Sequence, residues 1–308
     1  MTRHNTTNQD EEAHDYGATW FVLTLALVLP NLIGNTLVCL TIAKTNSLHN
    51  FCNFLLINLA ISDMCLGFLE LLKVVLLRYL NIYLGALKVA SYPFIEVSIF
   101  TVTAISCERY TAIVKPFKLH GSSASKKLRI VIPLLWFLGF VLNIPAFVMF
   151  SKAESAYFDI LQRNQSASFI DGIIHFLACY FLPSLIMWYT LLRIFLTLQN
   201  RKTKVLPQSQ RFALKVQQKV VKLLGLVILA HNICFLPFSV VSLLSSIIGT
   251  VGNLKLYIVY YIQFASPVLN PLIYWAHSNK FRDAFVVIVT SQKRKQSHSA
   301  RVSRTFKA

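Results

Sequence analysis

Acidic side chains are scarce. Only 12 Asp and Glu stand against 30 Lys and Arg, and charged residues of both signs make up just 14% of the 308-residue chain. A soluble domain of this length needs a wet polar surface around its core, so this composition argues against one. Cysteine is sparse too. The six residues Cys39, Cys52, Cys65, Cys107, Cys179 and Cys234 lie inside or at the edge of apolar runs, and no C-x-x-C pair exists. Free thiols are therefore expected rather than a disulfide or zinc framework. H-E-x-x-H, P-loop and G-x-S-x-G patterns are missing and the eight histidines are scattered, which argues against enzyme chemistry and against a metal centre. A positively charged leader is also missing. The first apolar run follows an acidic flank of Asp10, Glu11, Glu12 and Asp15 and is too long for a signal peptide.

What the chain does have is long apolar runs. A bilayer core takes about 20 helical residues, and inside lipid only helices or closed barrels satisfy every backbone polar group. The runs are far too long for barrel strands. The expected fold is an all-α membrane protein, a seven-transmembrane helix bundle with a short amphipathic surface helix. Residues 1–17 form an extracellular tail and 18–278 the bundle. The spans fall near 18–43, 51–78, 83–114, 127–149, 169–198, 210–247 and 254–277. Residues 279–290 carry Phe281, Ala284, Phe285, Ile288 and Val289 at amphipathic helical spacing, so they should lie flat on the membrane. The tail 291–308 is Ser/Lys/Arg-rich and is expected to be disordered.

Charge sets the orientation. With the N-terminus outside, 23 of the 30 basic residues fall on the cytosolic side, opposed there by Glu108 and Asp283 alone. This is the positive-inside pattern. The glycosylation sequons at Asn5 and Asn164 both land outside. Topology thus accounts for the basic excess without nucleic acid, leaving attraction to anionic membrane lipid as a secondary role.

Charged and strongly polar groups at mid-membrane are costly and read as functional by default. Asn35 is central in the first span, and Asp63 in the second, within Leu59-Ala60-Ile61-Ser62-Asp63. The third span ends Glu108-Arg109-Tyr110. Trp136 stands in the fourth, Pro183 in the fifth, Pro237 in the sixth and Asn270-Pro271-Leu272-Ile273-Tyr274 in the seventh. This ordered set resembles the rhodopsin-like G-protein-coupled receptors over about residues 18–290. The resemblance implies a plasma-membrane receptor that binds an extracellular ligand and activates a heterotrimeric G protein, with arrestin as a further partner. A seven-helix transporter or channel is the alternative.

It also implies roles. Glu108, Arg109 and Tyr110, Phe235 and Pro237, and Asn270, Pro271 and Tyr274 are the activation switch. Asn35, Asp63, Ser98, Ser266 and Asn270 are a polar cluster that holds either a sodium ion, whose hardness suits oxygen ligands, or a water network. No other cofactor is expected. Glu70, Lys73, Lys88, Ser91, Tyr92, Glu96, His175, Phe238, Ser242, Tyr260 and Phe264 occupy the ligand-pocket positions, with Glu70 and Lys73 paired at i, i+3.

The chain departs from the family pattern in several places. Leu84 replaces the third-span cysteine of the usual outer disulfide. Phe235 replaces the tryptophan of the sixth-span switch. His231 replaces a phenylalanine and is expected to be a hydrogen-bonded core residue. Gln217 replaces the acid that would meet Arg109, and Leu191 replaces a tyrosine. These losses predict raised basal activity. Ser91 stands where amine receptors carry an aspartate, and Phe264 where opsins carry their retinal-binding lysine. A small polar molecule or short peptide is the expected ligand.

Overall fold

The computed structural model describes residues 4–80, 85–115, 124–145, 147, 165–202, 207–248, 253–279, 281–283 and 285–287. Among them the chain is helical with short turns. The helices are α1 (His4–Lys44), α2 (Phe51–Leu80), α3 (Gly85–Val114), α4 (Ala124–Val141), α5 (Gln165–His175), α6 (Leu182–Lys202), α7 (Gln208–Ile248), α8 (Asn253–Phe264) and α9 (Ser266–His277). A π-helical segment, Phe176–Phe181, joins α5 to α6 into one fifth span. The sixth span is α7, and α8 with α9 make the seventh.

Among the described residues, five helices are long and apolar enough by themselves to cross a bilayer. The other two expected spans fall short for physical reasons. The 18 residues of α4 include Lys126, Lys127 and Arg129. The seventh span, expected as one helix, is interrupted at Ala265, with Pro267 in the first turn of α9. Proline has no N–H and its ring clashes with the carbonyl four residues back. The π-helical segment ends two residues before Pro183, whose ring would meet the Cys179 carbonyl in a regular helix.

The helices form a closed ring. The first span packs on the second, the second on the third, the third on the fourth and fifth, the fifth on the sixth, the sixth on the seventh and the seventh on the first. Large apolar side chains such as Val22, Phe68, Phe137, Leu185 and Trp275 point outward, where lipid covers them. Inside lipid, apolar contact drives helix association weakly, so close packing and interhelical hydrogen bonds matter more, at about 0.6 kcal/mol each on average. Asn58 donates to Thr101 Oγ1 at 2.8 Å and accepts from Trp136 Nε1 at 2.9 Å, tying α2, α3 and α4 together. Ser106 and Thr190 join α3 to α6 at 2.9 Å. At Gly34 a Cβ would lie 2.9 Å from both Cβ and Cγ of Pro271, so glycine is what lets the first and seventh spans approach this closely.

Candidate functional site

The polar centre of the bundle grows from one carboxylate. Asp63 on α2 is fully buried. Its Oδ1 accepts from Ser98 Oγ at 2.8 Å and its Oδ2 from Asn270 Nδ2 at 2.9 Å. The second, third and seventh spans thus converge on it. Two other expected members do not hydrogen-bond the carboxylate directly. Asn35 does not touch the carboxylate; its Nδ2 donates to Asn31 Oδ1 at 2.7 Å and to the Pro267 carbonyl at 3.0 Å. Pro271 explains the second contact, because it lacks the N–H that would bond Pro267 four residues back. Asn35 therefore satisfies from the first span a carbonyl that the seventh cannot satisfy itself. Ser266 is buried but is not a partner of Asp63. Asn31, which the sequence did not single out, donates to the Asp63 backbone carbonyl at 2.8 Å.

At one end of the bundle, Arg109 Nε lies 2.9 Å from Glu108 Oε2 and 3.1 Å from Cys52 Sγ. Glu108 Oε2 has no hydrogen-bond partner, so the Glu108 contact is Coulombic and not a formed hydrogen bond. The Tyr110 ring meets that of Tyr189 at a tilt, with centroids 6.3 Å apart. Gln217, at the position where a carboxylate would meet Arg109, instead faces Arg201 of α6. Arg201 Nη1 is 3.5 Å from Gln217 Oε1, and its Nη2 donates to the Ile113 carbonyl of α3 at 2.9 Å. One guanidinium therefore touches the third and sixth spans together. Tyr274 is buried with an unpartnered hydroxyl and packs against Phe281, with ring centroids 5.8 Å apart. Phe281 is buried, and the described residues of 279–287 are helical.

Phe235 is buried on α7 and stacks on His231, with centroids 4.0 Å apart. The expectation for His231 needs correction. The residue is buried as expected, but its Nε2 has no hydrogen-bond partner.

At the opposite end, Glu70 is the hub. Its Oε1 accepts from Ser91 Oγ at 3.1 Å, pairs closely with Lys73, and accepts a short hydrogen bond from the Tyr260 hydroxyl. Lys73 also reaches Tyr260 Oη at 3.3 Å and lies over that ring. Phe238 meets Tyr260 edge-on, with centroids 6.3 Å apart. Tyr92 and Phe264 belong to the apolar cluster below, with Ile95, Ile99 and Phe235. Glu96 and His175 face each other across α3 and the fifth span, Oε1 to Nδ1 at 3.4 Å. Ser242 is exposed. The Lys88 side chain, the Asn5 side chain and all of Asn164 lie outside the described residues.

Comparison with known proteins agrees with this arrangement. The model of the family described as 7 transmembrane receptor (rhodopsin family) matches residues 34–274. An adenosine receptor A2b from Gallus gallus is 24% identical over 300 residues, which cover 88% of this chain and 88% of that protein. A neuromedin-K receptor from Oryctolagus cuniculus is 28% identical over 303 residues, 92% of this chain and 64% of the relative. A substance-K receptor from Mus musculus is 26% identical over 299 residues, 87% and 74% of the two chains.

Proposed function

The chain belongs to the rhodopsin family of seven-transmembrane receptors, and from that premise we propose which side chains meet its ligand and which carry its signal. It is a multi-pass membrane receptor that binds an extracellular ligand and activates a heterotrimeric G protein. The family match leaves the transporter alternative without support, and the relatives are signalling receptors, not enzymes.

The end carrying Glu108 and Arg109 faces the cytosol at the plasma membrane, and the Glu70 end faces outward with the N-terminus. The positive-inside distribution of lysine and arginine supports this orientation. The ligand seats over Glu70, Lys73, Ser91 and Tyr260. The observation that carries this assignment is a buried carboxylate shared by three helices through a lysine, a serine and a tyrosine. Such a cluster is costly to bury without a role and offers both charges to a polar guest. A small polar molecule or a short peptide fits it better than a lipid. Its relatives are named for adenosine and neuromedin-K, and these two are the first ligands to try.

A ligand acts only through its different affinity for two helix arrangements. The Arg109 contact with Glu108 is the resting one; releasing it frees a planar five-donor cation to meet the G protein, and arrestin after it. Glu108 and Tyr110 flank that step. Phe235, Pro237, Asn270, Pro271 and Tyr274 change packing with it. The oxygens of Asp63 and Ser98 suit a sodium ion. Asp63 is fully buried and its two partners, Ser98 and Asn270, are neutral, so a bound cation would balance its charge and hold the second, third and seventh spans together.

The test is G-protein activation across the main Gα families, without ligand and with adenosine, neuromedin-K and a short-peptide library, beside Arg109→Ala at matched surface level. A signal lost in the variant supports the assignment. A signal that survives Arg109→Ala removes Arg109 from the switch. Glu70→Gln that leaves the dose response unchanged removes Glu70 from the ligand site.

A further inference from the structure

Eight scattered histidines promise no metal centre in the sequence, yet the fold gathers one histidine with two other metal ligands. Glu96 of α3, His175 at the end of α5 and Cys179 in the π-helical segment place one ligand atom each within 4.8 Å of one another. His175 Nδ1 is 3.4 Å from Glu96 Oε1 and 3.8 Å from Cys179 Sγ. Two ligands bound at 2.0–2.3 Å to one tetrahedral zinc ion lie roughly 3.3–3.7 Å apart. Both distances from His175 are therefore close to those of a zinc site, and the third pair lies within 4.8 Å.

A second observation points to a ligand. Glu96 is only 4% exposed, and its Oε2 has no hydrogen-bond partner. A buried carboxylate oxygen left without a donor is costly, and a cation beside it removes that cost. His175 keeps 29% of its side chain exposed, which gives an ion a way in. The π-helical segment matters as well. It sets the turn on which Cys179 lies beneath His175, and such segments gather at functional positions.

We propose that Glu96, His175 and Cys179 form a zinc site clamping the third span to the fifth, with the fourth coordination position open to water or to a group of an entering ligand. The donor set of one oxygen, one imidazole nitrogen and one thiolate sulfur suits zinc and disfavours calcium or magnesium, which take oxygen ligands. Binding uses His175 neutral at Nδ1 and releases the Cys179 thiol proton to solvent. Carboxylate and thiolate then balance the two positive charges. The site bridges the helices beside the proposed ligand position, so extracellular zinc becomes a regulator of the receptor. The site stands on these three side chains alone, and its failure leaves the receptor assignment untouched.

The experiment is equilibrium dialysis of the purified full-length receptor against zinc chloride in thiol-free buffer, with the metal content and unfolding temperature measured. The expected result is one zinc per receptor, a raised unfolding temperature, and an affinity reduced about tenfold or more in Glu96→Gln and in His175→Ala. Cys107→Ser is the control and keeps the wild-type affinity. Wild-type receptor alone gives a second measurement that needs no folded variant: cadmium competes with zinc, whereas millimolar calcium and magnesium do not. No saturable zinc on the wild type, wild-type affinity in both variants, or displacement by calcium each overturns the site.

Discussion

Arg201 offers a direct way to test what holds the cytosolic ends of the third, fifth and sixth spans in their resting arrangement. Its Nη2 donates to the Ile113 carbonyl of α3 at 2.9 Å, while Nη1 only grazes Gln217 of α7 at 3.5 Å. A hydrogen bond from a charged group contributes about 1.5–3 kcal/mol in favourable settings. Arg201 is half-buried, so solvent screening reduces this to about 1 kcal/mol. The Gln217 contact is at the limit of a hydrogen bond and adds little. If activation parts the fifth span from the third, Arg201→Ala removes about 1 kcal/mol that favours the resting arrangement. At 1.4 kcal/mol per tenfold, the resting-to-active constant falls roughly fivefold, and ligand-free signalling rises by about that factor while the active fraction is small. Gln217→Glu does the reverse. It places a carboxylate opposite the Arg201 guanidinium, strengthens the bridge and lowers basal signal. The assay is ligand-free G-protein activation at matched surface expression, with Arg109→Ala as the silent baseline. Unchanged basal signal in both variants would refute the reasoning. A fall in Arg201→Ala would mean that Arg201 touches the G protein and does not hold the helices together.

Gly34→Ala sets a Cβ 2.9 Å from Pro271 Cβ and Cγ, where ordinary carbon contacts are about 3.5–4.0 Å. The first and seventh spans must part, and a loss of about 1–3 kcal/mol should appear as a lower unfolding temperature of the solubilised receptor. His231→Phe keeps the stack on Phe235 and removes a buried nitrogen without a partner; a gain of about 1 kcal/mol should raise that temperature. Tyr260→Phe takes one donor from Glu70 and leaves Lys73 and Ser91 in place, so stability should fall by about 1 kcal/mol, with a larger effect on ligand potency in a dose-response series. Asp63→Asn removes the only charge among the Asp63, Ser98 and Asn270 side chains; any response of basal signal to sodium in the wild type should vanish in the variant.

The bundle was legible because apolar run length is a local property of the chain. So was the Glu70 and Lys73 pair, which one helical turn brings together. The meeting of Asp63, Ser98 and Asn270 was legible through the family resemblance alone, since nothing local tells which faces of three helices converge. Failures came where a proline or a neighbouring helix decided the outcome. Pro267 breaks the seventh span, and Asn35 bonds the Pro267 carbonyl that Pro271 leaves unsatisfied. His231 was expected to find a donor or acceptor, but the neighbouring helices bring none to its Nε2. Arg201 with Gln217, and Glu96 with His175 and Cys179, are partnerships between spans. They depend on helix rotation, which packing sets and periodicity does not reveal.

The six cysteines are all free thiols. No covalent bond between distant parts of the chain has to form for this bundle to close, and its assembly makes no demand on an oxidising lumen or a disulfide isomerase. Such a receptor should insert and fold in a reducing cell-free translation system supplied with lipid discs, and reductant should leave its folding yield unchanged. The same thiols, spread over the second, third, fifth and sixth spans as well as the first, give a native set of positions for isotopic or fluorinated labels, so helix movement can be followed by spectroscopy without adding a single foreign residue.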